Sequence, residues 1–75
     1  MYIVGISVEK RTEEIPEVQE VLTKYGKDID TRLGIHNQEK EKQGVILVTY
    51  QGKDVDSFIE ELNSIDGTNV NYMEI

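Results

Sequence analysis

The chain contains no cysteine and no tryptophan, one proline, one histidine and few basic residues. Without cysteine, disulfides, thiolate zinc sites and cysteine-ligated iron–sulfur clusters are excluded. A metal carrier of the Cys-x-x-Cys type is excluded with them. His36 alone makes a poor metal cage, so neither a resident metal nor a cofactor is expected. No apolar run approaches the ~20 residues of a membrane-spanning helix. The opening residues Met1-Tyr2-Ile3-Val4-Gly5 carry no basic n-region, so no signal peptide is expected and the expected location is the cytoplasm.

Basic charge is scarce: 8 Lys and Arg stand against 15 Asp and Glu, for a net charge of −7. The imbalance is greatest in the second half, where residues 38–75 carry three basic and eight acidic groups. Such a chain repels phosphate backbones, and no basic stripe opposes that. Direct binding of nucleic acid by this chain alone is therefore not expected. A length of 75 residues leaves room for one domain over residues 1–75. Domains of this size bury only ~60% of their unfolded surface. Disulfides and metals being absent from the expectation, a second subunit is the remaining reinforcement, and a homo-oligomer, dimer or tetramer, is expected.

Apolar alternation predicts a first strand over 2–9, with Val4, Ile6 and Val8 on its inner side. Ile15, Val18, Val21, Leu22 and Tyr25 follow at helical spacing and form one stripe. Pro16 is expected in the first turn of that helix, where its missing N–H costs little. Gly26 is expected to stop the helix. Residues 27–37 alternate again, with Ile29, Thr31, Leu33 and Ile35 on one side and Asp28, Asp30, Arg32, Gly34 and His36 on the other. A charged connection, 38–43, leads to the most apolar strand, 45–50, and a turn at 51–53. Asp54 is placed to cap a second helix whose stripe is Val55, Phe58, Ile59, Leu62 and Ile65. Gly67 ends it, and residues 70–75 make the last strand. The order βαββαβ is that of an α+β, ferredoxin-like sandwich: a four-stranded antiparallel sheet in the order 4-1-3-2 with two helices on one face.

Two helices cover one face of such a sheet and leave the other open. With Ile46, Val48 and Tyr50 turned inward, Val45 and Leu47 turn outward beside Ile3, joined by Met73 or Ile75 from a strand whose phase the alternation leaves open. An aliphatic patch at the middle of a sheet marks an interaction surface, here the expected oligomer face.

Chemistry-bearing motifs are few. Ser7, Ser57 and Ser64 have no histidine at a recognisable spacing, and phosphate-binding glycine loops are missing. The pairs Glu13-Glu14 and Glu60-Glu61 are expected on solvated helix surfaces, so no catalytic residue is assigned. Lys10 and Arg11 precede a helix N-terminus, but Glu13 and Glu14 oppose an anion there. What remains is Arg32-Leu33-Gly34-Ile35-His36. An arginine on a strand beside a glycine can clamp a carboxylate or phosphate, so Arg32, Gly34 and His36 are the ligand or interface candidates. The plainer alternative is an edge strand protected by charge. A symmetric oligomer would also gather several copies of His36, the one route to a bridging metal.

The stretches Ile6-Ser7-Val8-Glu9-Lys10-Arg11, Val18-Gln19-Glu20-Val21-Leu22-Thr23-Lys24-Tyr25-Gly26, Arg32-Leu33-Gly34-Ile35-His36 and Ile65-Asp66-Gly67 together resemble the family of iron-only hydrogenase system regulators. The likeness runs nearly the full chain. It implies an ACT-like sheet related to the sensing domain of the nickel-responsive regulator, a homo-oligomer, and a part in transcriptional regulation. The chain differs from nickel regulators in having one histidine and no cysteine. It also lacks the aspartate-x-x-glycine loop of many amino-acid-binding ACT domains, and any helix-turn-helix or ribbon arm, so a partner would have to contact DNA.

The resulting expectation is an oligomeric sensing module with a small-molecule ligand between subunits near Arg32, Gly34 and His36. The alternative is a protein-interaction adaptor whose acidic segment 54–66 meets a basic partner. A small enzyme is least expected: an acylphosphatase needs a glycine-rich anion loop after the first strand, where only Arg11 is present.

Overall fold

Strict alternation makes Tyr2–Val8 the strand β1, with Val4, Ile6 and Val8 almost wholly buried. The computed structural model describes residues 1–36, 39 and 43–75, and for Arg11 and His36 the backbone only. Most of the charged connection expected at 38–43 lies outside the described residues. Helix α1 spans Arg11–Lys24 and a 3-10 turn, Gly26–Asp28, leads into β2, Ile29–His36. Strand β3 is Gly44–Tyr50, helix α2 Val55–Asn63, and β4 Thr68–Glu74.

The sheet is antiparallel in the order β2-β3-β1-β4, which is the expected order read from the other edge. Both helices lie on one face. Val18 and Leu22 of α1, and Val55, Phe58, Ile59 and Leu62 of α2, close over Val4, Ile6, Val8, Ile46, Val48 and Tyr50. Tyr50 and Phe58 stack with ring centroids 4.7 Å apart, and Tyr25 packs on Phe58 at 5.1 Å. These three rings fasten both helices to β3. Asp54 caps α2 as expected, its Oδ1 accepting from the Ser57 N–H at 3.4 Å.

Three local expectations are corrected. Helix α1 starts earlier than its apolar stripe, because the Lys10 carbonyl accepts from both Glu13 and Glu14 N–H, at 2.9 and 3.0 Å. Pro16 is therefore the sixth helical residue, and the bond it cannot donate would have gone to Thr12. Both residues are exposed, so water can serve that carbonyl. Gly26 does stand just past the end of α1, as expected, though without a left-handed conformation; the one glycine with positive φ among the described residues is Gly67, at 79°. Ile29 does not share a face with Thr31, Leu33 and Ile35. The β2–β3 register skips at Asp30, and this bulge turns Ile29 toward Tyr50 and the core. Glu14, finally, is buried rather than solvated. It packs under Gly67, where the left-handed turn leaves no room for a Cβ.

Candidate functional site

Antiparallel register decides which side chains share the face that the helices leave open. Three cross-strand rows run Ile35–Val45–Ser7–Asn69, Leu33–Leu47–Gly5–Asn71 and Thr31–Thr49–Ile3–Met73. Beyond the last row, the Ile75 N–H donates to the Met1 carbonyl at 2.8 Å. Apolar residues thus occupy one corner (Ile35, Leu33, Val45, Leu47) and the opposite corner (Ile3, Met73, Met1, Ile75). Asn69 and Asn71 hold a third corner and Thr31 the fourth. The result is a diagonal aliphatic band. Leu33, Met73 and Ile75 are 53%, 59% and 65% exposed, which is unusual for side chains of this kind. Gly5, in mid-sheet, leaves a hollow of about 200 Å³ bordered by Ile3, Asn71 and Met73.

Ile3, Val45, Leu47 and Met73 do lie together on this face. Met1, Leu33 and Ile35 were not assigned to it from the sequence. The alternation of Leu33 and Ile35 with Arg32 and Gly34 carried the signal, but using it needed the β2–β3 register.

The same pleat sends Arg32 and Gly34 to the other side of β2, opposite Val48 and Ile46, and the backbone of His36 pairs with Gly44. This is the helix side, at the sheet edge beside α1. The Arg32 Nη2 donates to Gln19 Oε1. The lone salt bridge among the described residues joins Lys24 to Glu61, so Arg32 has no carboxylate partner there. A Cβ at Gly34 would meet nothing within 4 Å. The space beside it is an open groove of about 330 Å³ between α1 and the β2–β3 end of the sheet, lined by Ile15, Gln19, Gly34, Gly44 and Ile46 among others. The structure therefore brings Arg32 and Gly34 together on the side of β2 away from the aliphatic band, although Ile35 and Val45 of that band also border the groove. The side chain of His36 lies outside the described residues.

Between the two helices lies a polar clasp. Lys24 Nζ donates to Glu61 Oε1 at 2.7 Å, and the Tyr25 hydroxyl donates to Glu61 Oε2. Lys24 first, then Tyr25, hold the Glu61 carboxyl below its usual range. The hydrogen bond to Glu61, with desolvation, pushes the Tyr25 hydroxyl up to about 12. Beside the clasp, Glu17, Glu20, Glu61, Ser64 and Asp66 border a cleft of about 350 Å³. This carboxylate rim is wide and solvated; among the described residues no three His, Cys, Asp or Glu are placed to hold a metal. Glu14 Oε2 and Thr68 Oγ1 are buried without a hydrogen-bond partner among the described residues.

Comparison with known proteins adds the following. Residues 1–71 match the TM1266-like family, described as "Iron-only hydrogenase system regulator, putative". The solved structure of the uncharacterized protein TM1266 from Thermotoga maritima superposes with a TM-score of 0.82 at 30% identity, over 96% of this chain and 91% of that one. A formyltetrahydrofolate deformylase from Pseudomonas putida KT2440 superposes with a TM-score of 0.66 at 10% identity. That match covers 99% of this chain but 28% of the deformylase, and it shows a shared ACT-like fold only. Among curated proteins there is no match.

Proposed function

The chain belongs to the TM1266-like, iron-only hydrogenase system regulator family, and on that premise we propose that it is a regulatory module working as a homo-oligomer, assembled through its open sheet face. The observation that carries this reading is the diagonal aliphatic band. With strands about 4.8 Å apart and about 3.3 Å per residue, four strands present a face of roughly 19 by 23 Å. Pleated side chains raise its accessible area toward the ~800 Å² per partner of a stable interface. A two-fold axis along the diagonal sets band on band, and carries the asparagine corner over the threonine corner of the other copy. Apolar groups then meet apolar groups, and the polar corners form the rim.

In this reading the module is not an enzyme, in keeping with the family's description as a regulator. Sensing is assigned to a small-molecule ligand held by the β2 residues Arg32, Gly34 and His36. A transcriptional role is indirect: with a net charge of −7, the module needs a partner to contact DNA. Its expected compartment is the cytoplasm; no helix among the described residues is long and apolar enough to cross a membrane.

Sedimentation velocity from one to several hundred micromolar tests the assembly. A mass at least twice the 8.6 kDa of the chain is expected, and a monomer throughout would overturn the proposal. A second reading, an adaptor for a basic protein, is favoured by the exposed Asp56, Glu60 and Asp66 along and just beyond α2. It requires a complex that weakens as salt rises.

A further inference from the structure

We infer that the groove between α1 and the β2–β3 end of the sheet binds a small monocarboxylate with a branched apolar tail. The inference rests on the assignment of a ligand to β2 made above and not on self-association: Arg32 and Gly34 lie on the helix side of the strand, although Ile35 and Val45 of the open face also border the groove. Its floor is aliphatic, from Ile15 and Ile46, and Gly34 leaves the space above it empty. Among the described residues, one cation stands beside the groove. Arg32 reaches Gln19, a lining residue, through its Nη2, and a guanidinium has further N–H donors that this single bond leaves over.

Charge decides the ligand class. In a chain with 15 acidic residues, this arginine is paired with a glutamine amide rather than with a carboxylate among the described residues. The lining residues Ile15, Gln19, Gly34, Ile35, Gln43, Gly44, Val45 and Ile46 include no acid. Among the described residues, an amino acid would therefore find a partner for its carboxylate and none for its ammonium group. A phosphate ester, with more oxygens and more charge, would find too few donors around one guanidinium. A monocarboxylate matches the single cation among the described residues, and its hydrocarbon tail matches the aliphatic floor. Arg32 and Gly34 act together because residues two apart on a strand point the same way.

The test is an NMR titration of the uniformly ¹⁵N-labelled full chain with 4-methylpentanoate. Its controls are the neutral amide of the same acid, leucine and inorganic phosphate. Saturable shifts centred on the amides of Gln19, Gly34, Gly44 and Ile46 are expected. The amide and leucine should bind at least about tenfold more weakly, reflecting loss of a charge-assisted hydrogen bond or an unpaired ammonium. Arg32→Gln should weaken the carboxylate by a similar factor. Gly34→Val should abolish the shifts by filling the groove; the open space around Gly34 and the strand preference of valine keep the fold, which the variant's own spectrum verifies. Three results would each overturn the inference: no saturable shifts, equal binding of acid and amide or of phosphate, or shifts that survive in both folded variants.

Discussion

Replacing Leu33 probes the sheet face most directly, because this side chain sits at the band's corner and takes no part in the core. Leu33 is 53% exposed. Full burial of a leucine side chain is worth about 1.5–3 kcal/mol, so covering the exposed half in an interface contributes about 1 kcal/mol per copy. A two-fold interface contains the residue twice, so Leu33→Ala should weaken a dimer by about 2 kcal/mol, roughly thirtyfold in dissociation constant. Leu33→Lys should cost more, since it also brings an ammonium group into an apolar contact. Neither change should unfold an isolated subunit, because the position is already half in water. The assay is sedimentation velocity over a concentration series, paired with thermal unfolding at low and high protein concentration. Wild type should show a mass that rises with concentration and a midpoint that rises with it. Leu33→Lys should sediment as a folded monomer with a concentration-independent midpoint. If Leu33→Lys assembles as wild type does, the band is not the interface and the reasoning from exposed aliphatic surface fails.

Two further outcomes follow from the helix side. The Tyr25–Glu61–Lys24 clasp should set limits at both ends of the pH scale. Glu61 titrates below its ordinary value of 4.5, so its stabilisation is present above that pH and is lost as pH falls through the depressed folded value. Tyr25 is raised from 10.0 to about 12, so its contribution is complete below pH 10 and is lost as pH rises from 10 toward 12. Burial raises Tyr50 and Glu74 raises Tyr2, so Tyr25→Phe should remove one proton's share of the alkaline slope of unfolding free energy and leave the rest. An unchanged slope in urea titrations at pH 9–12 would show that the clasp does not form. Gly67→Ala should destabilise by about 1–3 kcal/mol, from the left-handed backbone and from contact with the Glu14 carboxylate. Adding Glu14→Ala should relieve the contact and leave the backbone strain, so chemical denaturation should report partial recovery; none would mean that Glu14 does not lie against that turn.

Much of this architecture was legible from residue spacing, and the exceptions have physical causes. Val4, Ile6 and Val8, and likewise Ile46, Val48 and Tyr50, could be turned inward because their neighbours are smaller, more polar or plainly destined for the other face. The stripe of α2 and its Asp54 cap are local features, readable without tertiary knowledge. The bulge at Asp30 is not local: alternation is intact on either side of it, and only pairing with β3 reveals the extra residue. The burial of Glu14 depends on a turn more than fifty residues away, so no window around it announces the contact. The start of α1 rests on the Lys10 backbone, with no side-chain cap to mark it. For the candidate site, Ile3, Val45 and Leu47 were placed together by parity, whereas Met73 needed the pairing of β4 with β1 to fix its phase. Arg32, Gly34 and His36 were recognised as a group, but the turn of Arg32 and Gly34 away from that face became visible only with the register of β2 on β3.

That separation has a consequence which can be measured. Strand β2 points Leu33 and Ile35 at one face, and Arg32 and Gly34 at the other, so Leu33 belongs to the band alone and Gly34 to the groove, while Ile35 and Val45 border both. Residues without common partners act nearly additively. Leu33→Lys should therefore abolish assembly while the carboxylate titration of the groove is unchanged, and Gly34→Val should close the groove while sedimentation is unchanged. The double variant should show both losses and nothing more. Departure from this pattern has one direct cause: β2 is an edge strand, paired on one side only, and it can shift as a unit against β3. In that event the groove and the band are coupled, and by linkage the carboxylate must change the dimer's dissociation constant by the same factor that assembly changes the carboxylate's. Equal factors would show that a signal passes through β2 from one face to the other. Factors of one in both directions would mean that the strand only holds two independent surfaces back to back.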